Sequence, residues 1–180
     1  MIQDTSRIVV IGSSCAGKTT LAKVLAEKLK VTHIELDAIH WKVDWVSWEG
    51  EEFRELTSKA ITDEQWVADG NYSAVRDLVW RRATTIIWLN YSFPALFWRA
   101  LSRTSKRVFY KEIMYSGNRE SFNRAFLSSD SIILWVIKSN FGKNSKRQRY
   151  PGYFKKPEFS HLEVIEIKNQ KEADSLLLHI

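Results

Sequence analysis

The sequence predicts an α/β fold: a parallel sheet covered by helices on both faces. Apolar runs of strand length alternate with stretches of helical spacing, the order that builds strand–helix–strand units. The first such unit is joined by Gly12-Ser13-Ser14-Cys15-Ala16-Gly17-Lys18-Thr19, which fits the phosphate-loop pattern G-x-x-x-x-G-K-[ST]. Composition limits the size: 180 residues, 44% hydrophobic and 27% charged, bury one good core. One domain over 1–180 is therefore expected.

Each element has its own reason. Arg7-Ile8-Val9-Val10-Ile11 is a short β-branched run that reads as a buried strand, and Thr20 to Leu29 has apolar residues at helical spacing. Between them the loop's amides converge on a phosphate at the positive end of the helix. Lys18 reaches the β- and γ-oxygens, and the Thr19 hydroxyl ligates Mg²⁺. Thr32 to Asp37 reads as a second strand, Ala38 to Trp48 as an aromatic irregular stretch and Glu51 to Thr62 as a helix. Gln65 to Gly70 and Thr84 to Leu89 are the third and fourth strands. Pro94 sits near the start of a long helix through Ala100 to about Arg107, where first-turn proline is tolerated. A helix over Arg119 to Asn140, a strand over His161 to Ile167 and a helix over Lys171 to Leu178 complete the order.

Ligands in such sheets sit beyond the strand C-termini. Gly12, Glu35, Asp37 and Asp69 all fall there and are expected in one cleft. Asp69-Gly70 after an apolar strand suits an acid that coordinates Mg²⁺, although Asp-Gly is also a turn pair. Glu35 and Asp37, two apart on a strand, are expected on one face, one near the metal and one accepting a proton from a substrate hydroxyl. The competing role for Asp37 is a helix cap.

Charge is unevenly spread. The chain carries a net +6, yet residues 98–156 hold 14 Lys/Arg against 3 Asp/Glu. A lid over phosphates, a nucleic-acid footprint and a solvated face all fit such a block. Arg99, Arg103 and Arg107 recur every fourth residue along one helical stripe, and Arg119 and Arg124 open the next predicted helix. At least two of these five are expected to spread positive charge over a transferring phosphoryl group. Lys143 to Tyr150 mixes basic residues with an aromatic, a pattern able to grip single strands, but no helix-turn-helix or zinc motif accompanies it.

Eight tryptophans are present. Trp66 and Trp88 lie within strand patterns and read as core. Trp41, Trp45 and Trp48 read as packing over the sheet edge, with stacking on a base as the alternative. One cysteine excludes an internal disulfide, and the longest uncharged apolar stretches, such as Ile132 to Ile137, are too short to span a bilayer. With Asp4 and a core strand where a signal peptide needs its apolar region, a soluble cytoplasmic protein is expected. The oligomeric state is not readable.

Several stretches carry a resemblance: Ile8 to Thr19, Leu36-Asp37-Ala38-Ile39-His40-Trp41, Trp66 to Tyr72, Ile86 to Leu89, and the arginines from Arg99. The chain resembles the adenylate-kinase-like P-loop NTPase family, and within it the bacterial DNA topology modulation proteins. The resemblance implies a three-layer, nucleoside-kinase-like fold with five parallel strands in the order 2-3-1-4-5 and a basic lid over about 104–122. It implies ATP and Mg²⁺ at Gly12 to Thr20, with Ser13, Ser14, Cys15, Ala16, Gly17, Lys18, Thr19 and Thr20 all in the nucleotide site. Thr19 and Asp69 then serve the metal, Asp37 lies on the acceptor side, and Lys18, Arg99, Arg103 and Arg119 act on the phosphoryl group. Two departures stand out. Cys15 replaces a usual third loop glycine, and Asn90 follows the fourth strand where the subgroup often has aspartate. The implied activity is transfer of the ATP γ-phosphoryl group to a small acceptor (nucleotide, nucleoside or sugar-like alcohol). A regulatory or nucleic-acid-associated NTPase is the alternative.

Overall fold

A computed structural model describes residues 6–110 and 146–180. In chain order the elements are β1 (Arg7–Gly12), α1 (Lys18–Leu29), β2 (Thr32–Glu35), α2 (Leu36–His40), α3 (Gly50–Ala60), β3 (Trp66–Asp69), α4 (Arg76–Arg82), β4 (Thr85–Leu89), α5 (Phe93–Tyr110), α6 (Lys146–Phe154), β5 (Glu163–Ile167) and α7 (Gln170–Leu178). The five strands form one sheet in the order β2-β3-β1-β4-β5, and every pairing is parallel. This is the predicted architecture.

The central strands are apolar throughout because both faces are covered. Alternation sorts them between two cores: Ile8 and Val10 join α1, α5 and α7, whereas Val9 and Ile11 face α3, α4 and α6. α1 stops at Lys30, whose φ of 57° places it in the left-handed region and whose N–H returns to Glu27. Pro94 lies in the first turn of α5, as expected.

Several boundaries differ from expectation. The second strand ends at Glu35, not Asp37, because Leu36 turns inward as the buried first residue of α2. Glu35 and Asp37 therefore do not share a strand face. The stretch from Ala38 is not wholly irregular, since α2 continues to His40. α4 and α6 were not anticipated. The helix expected over Arg119 to Asn140 lies outside the described residues, as does the lid beyond residue 110; residues 104–110 are the last turns of α5.

Candidate active site

The phosphate loop runs from the end of β1 to the start of α1, at the C-terminal edge of the sheet. Gly12 has φ 153°, and a Cβ there would stand 2.7 Å from the Leu89 carbonyl oxygen. Only glycine permits β1 to leave the sheet beside β4 in this way. Gly17, at φ 89°, is the N-cap of α1 and supplies no side-chain acceptor. The helix's first N–H groups are thus left for an anion. Cys15 adopts φ 65° and is buried, a conformation strained for a side chain and free for glycine. That is the physical content of its replacing the usual glycine.

Lys18 donates from Nζ to the Ser13 carbonyl at 3.3 Å. Burial pulls its ammonium below the usual lysine range, against the attraction of Asp37 and Asp69, and Arg103 adds repulsion. One ammonium therefore feels Asp37, Asp69 and the α5 arginine Arg103 together.

Asp69 ends β3 fully buried. Its Oδ1 accepts from the Thr19 hydroxyl at 2.9 Å, and its Oδ2 accepts from His33 Nε2 at 2.8 Å. A hydroxyl and a carboxylate are hard oxygen donors of the kind Mg²⁺ takes. No group of three or more His, Cys, Asp or Glu able to hold a metal exists among the described residues. A magnesium ion here would depend on nucleotide phosphates and water for its remaining ligands, as nucleotide-bound magnesium does. His33 was not foreseen; its position on β2, two residues before Glu35, carried no chemical signal.

Asp37 sits in the first turn of α2 and is not its cap, which is Glu35. Its Oδ1 accepts from the Tyr72 hydroxyl at 2.6 Å. The Tyr72 ring packs on His40 and Phe53, with centroids 4.4 and 5.1 Å away. Burial lowers the pKa of His40, with Asp37 pulling the other way. An aromatic wall thus fixes the proton partner of Asp37.

Asn71 is the second unforeseen residue. Its Oδ1 accepts from the Gly12 N–H at 3.3 Å, and its Nδ2 donates to the Gly12 carbonyl. The β1–β3 ladder ends near Val10 and Gly70, and the carboxamide adds one more rung to it. Tyr150 on α6 donates to the same Oδ1 at 2.9 Å. Burial raises the Tyr150 pKa, so the phenol keeps its proton. Tyr150 is 3% exposed, among Trp80, Trp88 and Phe154. It is therefore unavailable for gripping a strand of nucleic acid, which corrects that reading of Lys143 to Tyr150.

Arg99 lies over the loop. Its Nη1 donates to the Ala16 carbonyl at 3.1 Å, its Nη2 donates to Gln170 Oε1 at 2.8 Å, and it stacks on Tyr91 at 4.5 Å. One turn on, the buried Nε of Arg103 has no hydrogen-bond partner among the described residues. Such a donor is costly unless a ligand answers it. The side chain of Arg107, and Arg119 and Arg124, lie outside the described residues.

Trp66 and Trp88 are core, as expected. Trp41, Val43 and Val46 belong to a small hairpin closed by a Trp41–Ser47 bridge and a Lys42–Val46 hydrogen bond. Asp44 and Trp45 form its turn with φ of 58° and 59°. No described helix is long and apolar enough to cross a membrane.

Comparison with solved structures finds the same fold. A gluconokinase from Sinorhizobium meliloti 1021 aligns over 98% of this chain and 94% of its own, with TM-score 0.55 and 15% identity. Shikimate kinase from Acinetobacter baumannii, in complex with shikimate, aligns over 97% and 89%, with TM-score 0.53 and 17% identity. The shikimate kinase from Bacteroides thetaiotaomicron gives 97% and 95%, with TM-score 0.50 and 17% identity. The fold is that of the P-loop kinases. The sequence matches no protein-family model and no curated protein.

Proposed function

We propose that this chain is an ATP- and Mg²⁺-dependent phosphotransferase that moves the γ-phosphoryl group to a hydroxyl of a small acceptor in the cytoplasm. One observation carries the reading: the Lys18 ammonium is within electrostatic reach of Asp37, Asp69 and Arg103 at once. A loop that only stored nucleotide would not need an acid on the acceptor side. The kinase fold of the aligned structures agrees with it.

The loop amides of Gly12 to Thr20 and Lys18 hold the β- and γ-phosphates. Mg²⁺, when bound through Thr19 with Asp69 behind it, neutralises charge on their oxygens. The acceptor oxygen attacks the γ-phosphorus while the bond to the β,γ-bridging oxygen breaks. ADP leaves with that oxygen, and the acceptor proton passes to the free Oδ2 of Asp37. Tyr72 fixes the other oxygen of that carboxylate. Arg103 turns its unanswered Nε to the migrating group, and Arg99 braces the loop beneath it. Arg119 and the 104–122 lid complete the positive field in this reading.

ADP release that depends on one added small acceptor, and that vanishes in Lys18→Ala, tests the proposal. Unchanged release in that variant would refute it. The DNA topology modulation reading rests on the exposed Arg149, Lys155 and Lys156 of the α6 region. It requires tight DNA binding that falls steeply with salt and ignores ATP.

A further inference from the structure

Asp69 is held at both oxygens, and its two donors come from different elements. Thr19 of α1 donates to Oδ1 at 2.9 Å, and His33 of β2 meets Oδ2 at 2.8 Å. A carboxylate has no proton to give, so His33 Nε2 is the donor. Strand pairing explains the placement. β2 is an edge strand in parallel register with β3, with His33 opposite Val67 and Glu35 opposite Asp69. His33 therefore meets Asp69 on the diagonal, within reach of a long side chain. The next residue, Ile34, faces the opposite core. A slip of one residue would carry the ring to the wrong face of the sheet.

The Asp69 side chain is fully buried, whereas that of His33 is 21% exposed. Strand propensity at such an edge position favours a β-branched residue. An apolar side chain there would leave a buried carboxylate oxygen without its donor. The consequence reaches Thr19. While its hydroxyl proton points at Oδ1, its lone pairs point away from Asp69 and are left to ligate a cation. Lys18 competes for the same carboxylate, because its buried ammonium is attracted to Asp69. With Oδ2 pinned by His33, the carboxylate does not swing toward that ammonium, and Oδ1 stays on Thr19.

We propose that His33 is a positioning residue for magnesium. By holding Asp69 it keeps the Thr19 oxygen turned toward the nucleotide-bound cation, and it touches neither the cation nor the substrate. His33, Asp69 and Thr19 then work as one unit drawn from β2, β3 and α1. The inference rests on the Mg·nucleotide part of the phosphotransferase reading and is independent of the acceptor.

The test measures ADP binding to the full chain by calorimetry, once in EDTA and once in saturating Mg²⁺. The ratio of the two affinities is the magnesium effect. His33→Val suits the strand but removes the donor. It should lower that ratio by about tenfold or more, with ADP affinity in EDTA changed by less than about twofold. His33→Gln, whose amide restores an N–H donor, should recover part of the loss. Electron paramagnetic resonance of Mn²⁺ titrated in the presence of ADP should rank the variants in the same order. In the Asp69→Asn background, His33→Val should have no further effect on the ratio. An unchanged magnesium effect in His33→Val, an equal loss in EDTA and in magnesium, or His33→Gln no better than His33→Val would each overturn the role. A His33-dependent magnesium effect with no ADP release from ATP would support the role and overturn the phosphotransferase reading. Acceptor-dependent ADP release with an unchanged magnesium effect in His33→Val would do the reverse.

Discussion

The side-chain amide of Asn71 closes on both backbone groups of Gly12, and Tyr150 on α6 holds that amide from behind. The first glycine of the phosphate loop is therefore positioned by a residue of the β3 edge and, through it, by a helix 79 residues further on. Asn71→Ala should weaken Mg·ADP binding by about 10- to 100-fold, since two backbone groups lose their partner. Asn71→Asp should do no better, because it lacks the donor for the Gly12 carbonyl and adds charge beside phosphate. Calorimetry on Tyr150→Phe should show a smaller loss that disappears in the Asn71→Ala background. Full additivity in the double variant would mean that Tyr150 does not act through Asn71.

Lys18 trades stability for phosphate binding. Burial sets its folded pKa below the 10.5 of the free side chain. Between those values the unfolded chain binds more protons, so stability rises with pH through that window and the charged form costs stability at neutral pH. Lys18→Met should therefore raise the melting temperature of the nucleotide-free protein at pH 7 while removing stabilisation by Mg·ADP. Scanning calorimetry with and without nucleotide reads both effects. A lower melting temperature without nucleotide would show that Asp37 and Asp69 more than offset the burial.

The strands and the loop were legible because they rest on local patterns: β-branched runs such as Ile8 to Ile11, and a motif whose glycines have one backbone use. The strand order followed only from the resemblance. The strand-end rule places Asp69 at the end of β3 as observed, whereas Asp37 falls in the first turn of α2. What escaped depends on contacts distant in sequence. Nothing local in Lys143 to Tyr150 distinguishes a buried tyrosine from a surface one; Trp80, Trp88 and Phe154 decide it. Helix α4, seven residues long, is too short for a periodic signal. The end of β2 was misplaced because Leu36-Asp37 continues the strand alternation, whereas Leu36 is the buried first residue of α2 and packs closely beside Gly70.

Asp77 should show itself at acid pH. Its hydrogen bond from Arg54 holds its carboxyl at about 2, below the usual 3.8. The native state therefore gains stability from it above pH 3.8 and loses that gain as pH falls toward 2. Both partners are substantially solvent-accessible, so the effect is small. Asp77→Asn should flatten this part of the acid limb in urea unfolding measured from pH 4.5 to 2. A limb identical to that of the original chain would place the pair's contribution at nil.

Asp37 and Tyr72 should separate chemistry from binding. If Asp37 accepts the acceptor's proton, Asp37→Asn should lower kcat by about 10²- to 10⁴-fold with Mg·ATP affinity little changed. Tyr72→Phe leaves the carboxylate but removes the donor to its Oδ1, so kcat should fall less. A loss shared equally by ATP affinity and turnover in Asp37→Asn would remove the acid from the acceptor side.

Gly12 and Gly70 end adjacent strands, and alanine at each should damage a different half of the site. At Gly12 a Cβ would meet the Leu89 carbonyl oxygen at 2.7 Å, a backbone atom of β4 that cannot step aside. At Gly70 it would meet the Leu36 Cβ at 2.7 Å, the residue that starts α2 and precedes Asp37. Both positions also have positive φ, at 153° and 140°, adding about 1–3 kcal/mol of strain for any side chain. Gly12→Ala should therefore weaken Mg·ADP binding most, by displacing the phosphate loop from β4. Gly70→Ala should instead cut acceptor turnover more than nucleotide affinity, because α2 must shift and carries Asp37 with it. Urea unfolding, Mg·ADP calorimetry and steady-state turnover on the same two variants give the comparison. The same pattern of loss in both would show that β1 and β3 move as one, and that the two halves of the cleft are not independently held.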